Sequence, residues 1–242
     1  MASSGVVPSF RPSVNGFRFT NAFPHEPTIE IDLGPAGRVG LGDASQGVCG
    51  GMAFAVRDYF EAGRAVPPDD IPPAKGKPLF GYITGRLIDS FDVPDGVLQY
   101  AEWMLLPSAD LHLIIGSRHG TYSRTVTSSW PHVRADIDAG HPSPLGLVTV
   151  HTADLRQIGK CHQVLAYGYR IDDAQTVTLN IYDPNTGLDA ADDVWISFSV
   201  AAPHSVSPIT HNINIGESTL HGFFRSTYTP KVPPPQPADG PG

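Results

Sequence analysis

The chain has 242 residues, which is long enough for one large domain with its own hydrophobic core. Hydrophobic residues make up 40% of it and charged residues 17%, a composition typical of a globular protein and not of a disordered one. The formal net charge of −8 argues against a nucleic-acid partner, because such a surface repels phosphate backbones. No apolar run approaches the ~18 residues that a membrane-spanning helix needs, so no membrane span is expected.

The first residues lack the basic and apolar regions of a secretory signal. The default expectation is therefore a cytoplasmic protein, with export by other routes left open. The two cysteines, Cys49 and Cys161, are too few for a disulfide framework and have no C-x-x-C spacing. The histidines lack H-E-x-x-H spacing, and the acidic segment 183–193 lacks the glycine and glutamate of a calcium-binding EF-hand loop. We expect no metal and no cofactor.

The first half of the chain is predicted to be mainly helical. Residues 1–28 mix phenylalanines with Pro, Ser and Asn, and they indicate an irregular N-terminal arm; a short strand over 28–33 follows. Apolar residues then recur at helical spacing. The helices predicted from this spacing cover 52–62, 79–91 and 97–106, and a short fourth helix follows Trp130-Pro131 and ends at Gly140.

The second half is predicted to form strands, because apolar or alternating segments there are rich in β-branched and aromatic residues. The residues Asp172–Gln175 would turn two of these strands into a hairpin. Helices before strands indicate the α+β class, with N-terminal helices packed against a C-terminal antiparallel sheet. The predicted strands cover 144–151, 163–171, 176–182, 194–200 and 222–228. The domain would then span 29–229, and 230–242 would be a proline-rich disordered tail.

Cys49 lies between a glycine-rich turn and a predicted helix, in the segment Q-G-V-C-G-G-M-A-F over 46–54. At the start of a helix, free backbone N–H groups and the positive end of the helix dipole face the cysteine side chain, and both favour a thiolate over a thiol. The flanking glycines leave room for a substrate carbonyl, and the same amides could stabilise an oxyanion. The competing interpretation is a buried small residue at a tight helix entry.

His162 opens the strand H-Q-V-L-A-Y-G-Y, and Asp183 ends the next one in Y-D-P-N. Histidine is the side chain best suited to accept and return a proton near neutral pH. In a hairpin, the start of one strand and the end of the next lie side by side, so Asp183 could hold the His162 ring in one tautomer. With Cys49 approaching from a helix on the sheet, this is the nucleophile, base and orienter pattern of covalent catalysis. Cys161 should face the opposite side of its strand from His162, which favours a structural role.

These segments, together with G-F-F-R-S-T-Y at 222–228, resemble the papain-like cysteine peptidase superfamily over roughly 40–228. They look most like a bacterial group of papain-fold proteins, and more distantly like the bacteriocin-processing peptidases of ABC transporters. The resemblance implies a papain-like fold with Cys49 as nucleophile, His162 as base and Asp183 as orienter. It leaves Asn185 as the rival orienter, since papain relatives use Asn as well as Asp.

Gln46 departs from the family pattern. The oxyanion-hole glutamine of those peptidases typically lies six residues before the nucleophile, whereas Gln46 lies three before Cys49. Aligning Gln46 with that glutamine would place Met52 at the nucleophile position and make the chain inactive. Gln46 is therefore only a possible oxyanion-hole residue.

Two functions follow from the resemblance. The first is a cysteine hydrolase that acts on a peptide or amide substrate through a thioester acyl-enzyme, or an acyltransferase if an amine replaces water. The alternative is a catalytically inactive papain-fold module for binding or structure. Neither the substrate nor the oligomeric state can be predicted from the residues.

Overall fold

A computed structural model of the chain describes residues 2–23, 29–32, 38–41, 48–92, 95–112 and 116–235. Three long helices occupy the first half, as the apolar periodicity predicts, and none of the described helices is long and apolar enough to cross a membrane. The helices are α1 (Pro12–Asn15), α2 (Cys49–Glu61), α3 (Pro78–Ser90), α4 (Asp95–Leu105), α5 (Thr121–Arg124) and α6 (Trp130–Asp138). A π-helical segment, Thr125–Ser129, joins α5 to α6, and α6 is closed by Gly140 at φ +86°.

An antiparallel sheet dominates the second half. The order of its strands is β11-β10-β9-β8-β7-β6-β12, and β1 pairs with the far end of β7. The members of this sheet are β1 (Ser3–Val6), β6 (Ser143–Val148), β7 (His162–Ile171), β8 (Thr176–Tyr182), β9 (Trp195–Ser199), β10 (Ile209–His211), β11 (Thr219–Leu220) and β12 (Gly222–Arg225). Two small hairpins lie apart from it: β2 (Ile29–Asp32) with β3 (Arg38–Leu41), and β4 (Leu111–His112) with β5 (Ser117–Arg118).

This arrangement of helices and antiparallel sheet agrees with the predicted α+β class. The N-terminal arm differs from expectation, because it contributes a strand and a short helix instead of an irregular segment. Ser3–Val6 form β1, which pairs antiparallel with residues 168–171. The reason is that β7 is longer than its neighbour β6, so its C-terminal half has a free edge that the arm fills.

The first helix of the core, α2, packs unusually closely on its neighbours. Its residues from Cys49 to Tyr59 are all buried, and it lies against α3 and β7. Glycine permits this approach: a Cβ atom on Gly51 would collide with the backbone carbonyl of Ile83, and one on Gly50 would lie 2.6 Å from Gln163 Oε1. Gly51 therefore sets how near α2 comes to α3, and Gly50 sets how near it comes to β7.

The segment after β12 lies against α2 and α3. Asp58 in α2 forms a buried ion pair with Arg86 in α3, at 2.6 Å, and it also accepts a hydrogen bond from the backbone N–H of Lys231. Arg64 donates to the carbonyl of Pro233 at 2.8 Å. Residues 230–235 are thus held on the domain, whereas the sequence predicted a disordered tail from residue 230; residues 236–242 lie outside the described part.

Candidate functional site

Cys49 is the first residue of α2, as the sequence predicts for this position. Its side chain is buried, with 5% of the residue exposed. The backbone N–H groups at the start of a helix have no acceptor within that helix, so those of Cys49, Gly50 and Gly51 form its positive end. Gln46, the possible oxyanion-hole residue, lies outside the described residues, as does all of 42–47.

The hairpin of β7 and β8 brings His162 and Asp183 together. Leu165 pairs with Tyr182, which places the start of β7 beside the end of β8. His162 Nε2 lies 2.6 Å from Asp183 Oδ1, and both side chains are buried. With Nε2 donating to this carboxylate, Nδ1 is the ring nitrogen that faces other partners.

Asp183 is held by three hydrogen bonds. Besides His162, the backbone N–H of Asn185 donates to its Oδ1 at 3.0 Å, and the hydroxyl of Thr186 donates to its Oδ2 at 2.6 Å. Burial would raise the pKa of Asp183, but the positive charge of His162 and these hydrogen bonds outweigh it, so the pKa lies below its ordinary value. Asp183 is therefore an oriented carboxylate that stays ionised.

The charge of His162 depends on Cys49 as well as on Asp183. Burial alone would lower the pKa of His162, yet the negative charges of Cys49 and Asp183, with hydrogen bonds to both side chains, raise it from 6.5 to about 10. The imidazole thus lies between a sulfur and a carboxylate, and it is protonated at neutral pH. The three residues that the sequence singled out from distant parts of the chain meet in one buried cluster.

Asn185, the predicted rival orienter, has a different partner. Its Oδ1 accepts a hydrogen bond from Asn21 Nδ2 at 3.2 Å, while the His162 ring bonds to Asp183. Asn21 belongs to the N-terminal arm, where nothing in the sequence marks it as part of a site. Its backbone N–H donates to the carbonyl of Pro184, which fixes the arm beside the end of β8.

A cleft of about 320 Å³ opens beside His162. Among the residues described, its polar lining includes Asn21, Asn185, Lys160 and Glu217. The Oδ1 atom of Asn21 is buried and has no hydrogen-bond partner among the described residues.

Cys161 lines the same cleft as His162. It packs in an apolar cluster that includes Tyr100, Trp103 and Phe224. Burial raises the pKa of the Cys161 thiol to about 11, so it is a protonated thiol at neutral pH.

Comparison with known proteins finds no match for this chain among family models, curated proteins or solved structures. The resemblance to the papain-like superfamily therefore rests on the sequence motifs and remains a prediction.

Proposed function

We propose that this protein is a cysteine hydrolase with a papain-like fold, which cleaves a peptide or another amide through Cys49, His162 and Asp183. One observation carries the proposal: the His162 ring bonds to the Asp183 carboxylate and interacts with Cys49 at the start of α2. A nucleophile, a base and a group that orients the base are the three parts that covalent acyl transfer needs.

The first half-reaction uses the thiolate–imidazolium pair. The Cys49 sulfur attacks the carbonyl carbon of the substrate and forms the C–S bond, and the electron pair of the C=O bond moves to oxygen. Backbone N–H groups at the start of α2 stabilise this oxyanion. When the tetrahedral intermediate collapses, the C–N bond breaks and His162 donates its proton to the leaving amine, which leaves a thioester on Cys49.

In the second half-reaction His162 acts as a base. It takes a proton from water, the resulting oxygen nucleophile attacks the thioester, and the C–S bond breaks to release a carboxylic acid and restore the Cys49–His162 pair. An amine in place of water would make the enzyme an acyltransferase.

Asp183 acts through His162. Its bond to Nε2 leaves Nδ1 directed at the sulfur, and its negative charge stabilises the imidazolium. Asn185 lines the cleft beside this cluster and is held by Asn21, and its side-chain NH₂ group suits a hydrogen bond to the amide carbonyl of a substrate.

Selective alkylation tests the proposal, because the chain contains its own control. We expect iodoacetamide and an E-64-type epoxide to modify Cys49 at pH 6–7 while Cys161 stays unmodified, since burial keeps the Cys161 thiol protonated. Peptide mapping by mass spectrometry gives the two rates separately. The variant His162→Asn should slow the modification of Cys49 by more than about tenfold, because it removes the positive partner of the thiolate.

Labelling of Cys49 at the rate of Cys161 would refute the hydrolase and favour the alternative, an inactive module for binding or structure. Equal rates of Cys49 labelling in the unmodified chain and in His162→Asn would also refute the hydrolase, because the imidazole would then not stabilise the thiolate.

A further inference from the structure

A second cluster of reactive side chains lies away from the cleft. Asp110 immediately precedes β4, His119 follows β5, and His204 lies in the loop after β9. One ligand atom from each residue lies within 4.8 Å of the other two. Because Asp110 and His204 are 94 residues apart, this cluster exists only in the folded chain.

Both imidazoles place their Nδ1 atom next to Asp110 Oδ2. His119 Nδ1 lies 3.2 Å and His204 Nδ1 2.9 Å from Asp110 Oδ2, and the two rings stack at a centroid distance of 5.3 Å. Ligands about 2.0–2.1 Å from a tetrahedral Zn²⁺ are separated from one another by roughly 3.3 Å. Two of the three ligand separations, those from the Asp110 oxygen, are therefore close to that edge length.

The carboxylate is oriented in advance. Asp110 Oδ1 accepts a hydrogen bond from the backbone N–H of Gly120 at 2.8 Å, which leaves Oδ2 to face the imidazoles. Ser123 Oγ donates to the carbonyl of Pro203 at 2.9 Å, and it also lies 3.3 Å from His204 Nδ1. Partners of this kind hold metal ligands in place.

The cluster is also open to solvent on one side. The side chain of Asp110 is 8% exposed, but those of His119 and His204 are 50% and 60% exposed. An ion could therefore enter directly from water, and a water molecule would fill the remaining position.

We propose that Asp110, His119 and His204 bind Zn²⁺ or a similar divalent transition metal, with water as the fourth ligand. Two imidazole nitrogens and one carboxylate oxygen suit Zn²⁺, whereas Ca²⁺ and Mg²⁺ prefer oxygen ligands alone. The bound ion links the β4–β5 hairpin to the loop after β9. The sequence shows no such site, because its three ligands come from segments that only the fold brings together.

Titration calorimetry with ZnCl₂ tests this site, on the 242-residue chain after EDTA has removed any bound metal. The background variant Cys49→Ala removes the thiolate, which would otherwise offer zinc a second site. We expect one equivalent of Zn²⁺ per chain, and at least a 10- to 100-fold loss of affinity in His119→Ala and in His204→Ala, since removal of even an outer partner costs that much.

His141→Ala is the matched control, because His141 Nδ1 pairs with a carboxylate, Glu61 at 2.8 Å, but no second imidazole joins this pair within the described part of the chain. Its affinity for Zn²⁺ should equal that of the background. Co²⁺ added to the chain with all three ligands should give the intense visible absorption of a tetrahedral site, so the proposal can be judged even where a substitution prevents folding. Unchanged affinity in both histidine variants would overturn it, as would the absence of saturable binding and of the Co²⁺ spectrum.

Discussion

Replacing Asp183 by asparagine should lower the pKa of His162. Asparagine keeps the shape of the side chain and an oxygen that can accept from Nε2, but it removes the negative charge. A hydrogen bond to a charged group contributes about 1.5–3 kcal/mol, and one pKa unit corresponds to about 1.4 kcal/mol. We therefore expect the pKa of His162 to fall from about 10 to between roughly 8 and 9 in the variant.

The measurement is an NMR titration of the histidine ring protons from pH 6 to pH 11, with the His162 signal assigned by its absence in His162→Asn. The control is Asn185→Ala, since Asn185 bonds to Asn21 and not to the His162 ring. An unchanged midpoint in Asp183→Asn would refute the assignment of Asp183 as the partner of the ring. A shift of the same size in Asn185→Ala would show that the other candidate orienter acts instead.

The same substitution changes how stability depends on pH. The pKa of His162 is higher in the folded chain, about 10, than its ordinary value of 6.5. The pair therefore stabilises the fold fully below about pH 6.5, and this contribution is lost as the pH rises through 10. Urea unfolding between pH 6 and pH 10 should show a smaller alkaline loss of stability in Asp183→Asn than in the unmodified chain.

Two further predictions concern the packing of the helices. Asp58→Ala should reduce the free energy of unfolding in urea by about 3–5 kcal/mol, because it removes the buried carboxylate that pairs with Arg86 and accepts hydrogen bonds from Tyr82 and Tyr228, and it leaves Arg86 with the partly exposed Asp89. Asp70→Ala on the surface should change this free energy by less than about 0.5 kcal/mol, and equal effects of the two substitutions would contradict the argument. Gly51→Ala should destabilise the fold by about 1–3 kcal/mol or more, because the added Cβ atom collides with the backbone of Ile83. Gly85→Ala is the control: a Cβ atom there meets nothing within 4 Å, so the substitution should stabilise the fold by about 0.5–1 kcal/mol. If both substitutions shift the melting temperature in the same direction, the contact between α2 and α3 does not require glycine at position 51.

The elements that were predicted well are those with a strong local pattern. The helices α2, α3 and α4 have apolar residues at helical spacing, and β7 and β8 are linked by a turn whose chemistry is visible in the sequence. The approach of His162 to Asp183 follows from that hairpin alone, and for this reason it was predictable.

The features that were missed depend on partners far along the chain. The strand β1 has the sequence S-S-G-V, which carries no strand pattern, and it forms because β7 offers a free edge. Asn21 enters the cleft because the arm is fixed there, and His119 meets His204 because two loops fold together. Tertiary contacts decide such positions, and a single sequence does not display them.

The pairing of β1 with β7 also has a consequence for biosynthesis. The partners of residues 3–6, residues 168–171, are synthesised roughly 10–30 s after them at about 5–20 residues per second. Closing so long a loop is slow, so we expect the strand to join the sheet late in folding. Until then residues 3–6 remain unpaired, and a chaperone that binds unpaired strands could bind them during this interval.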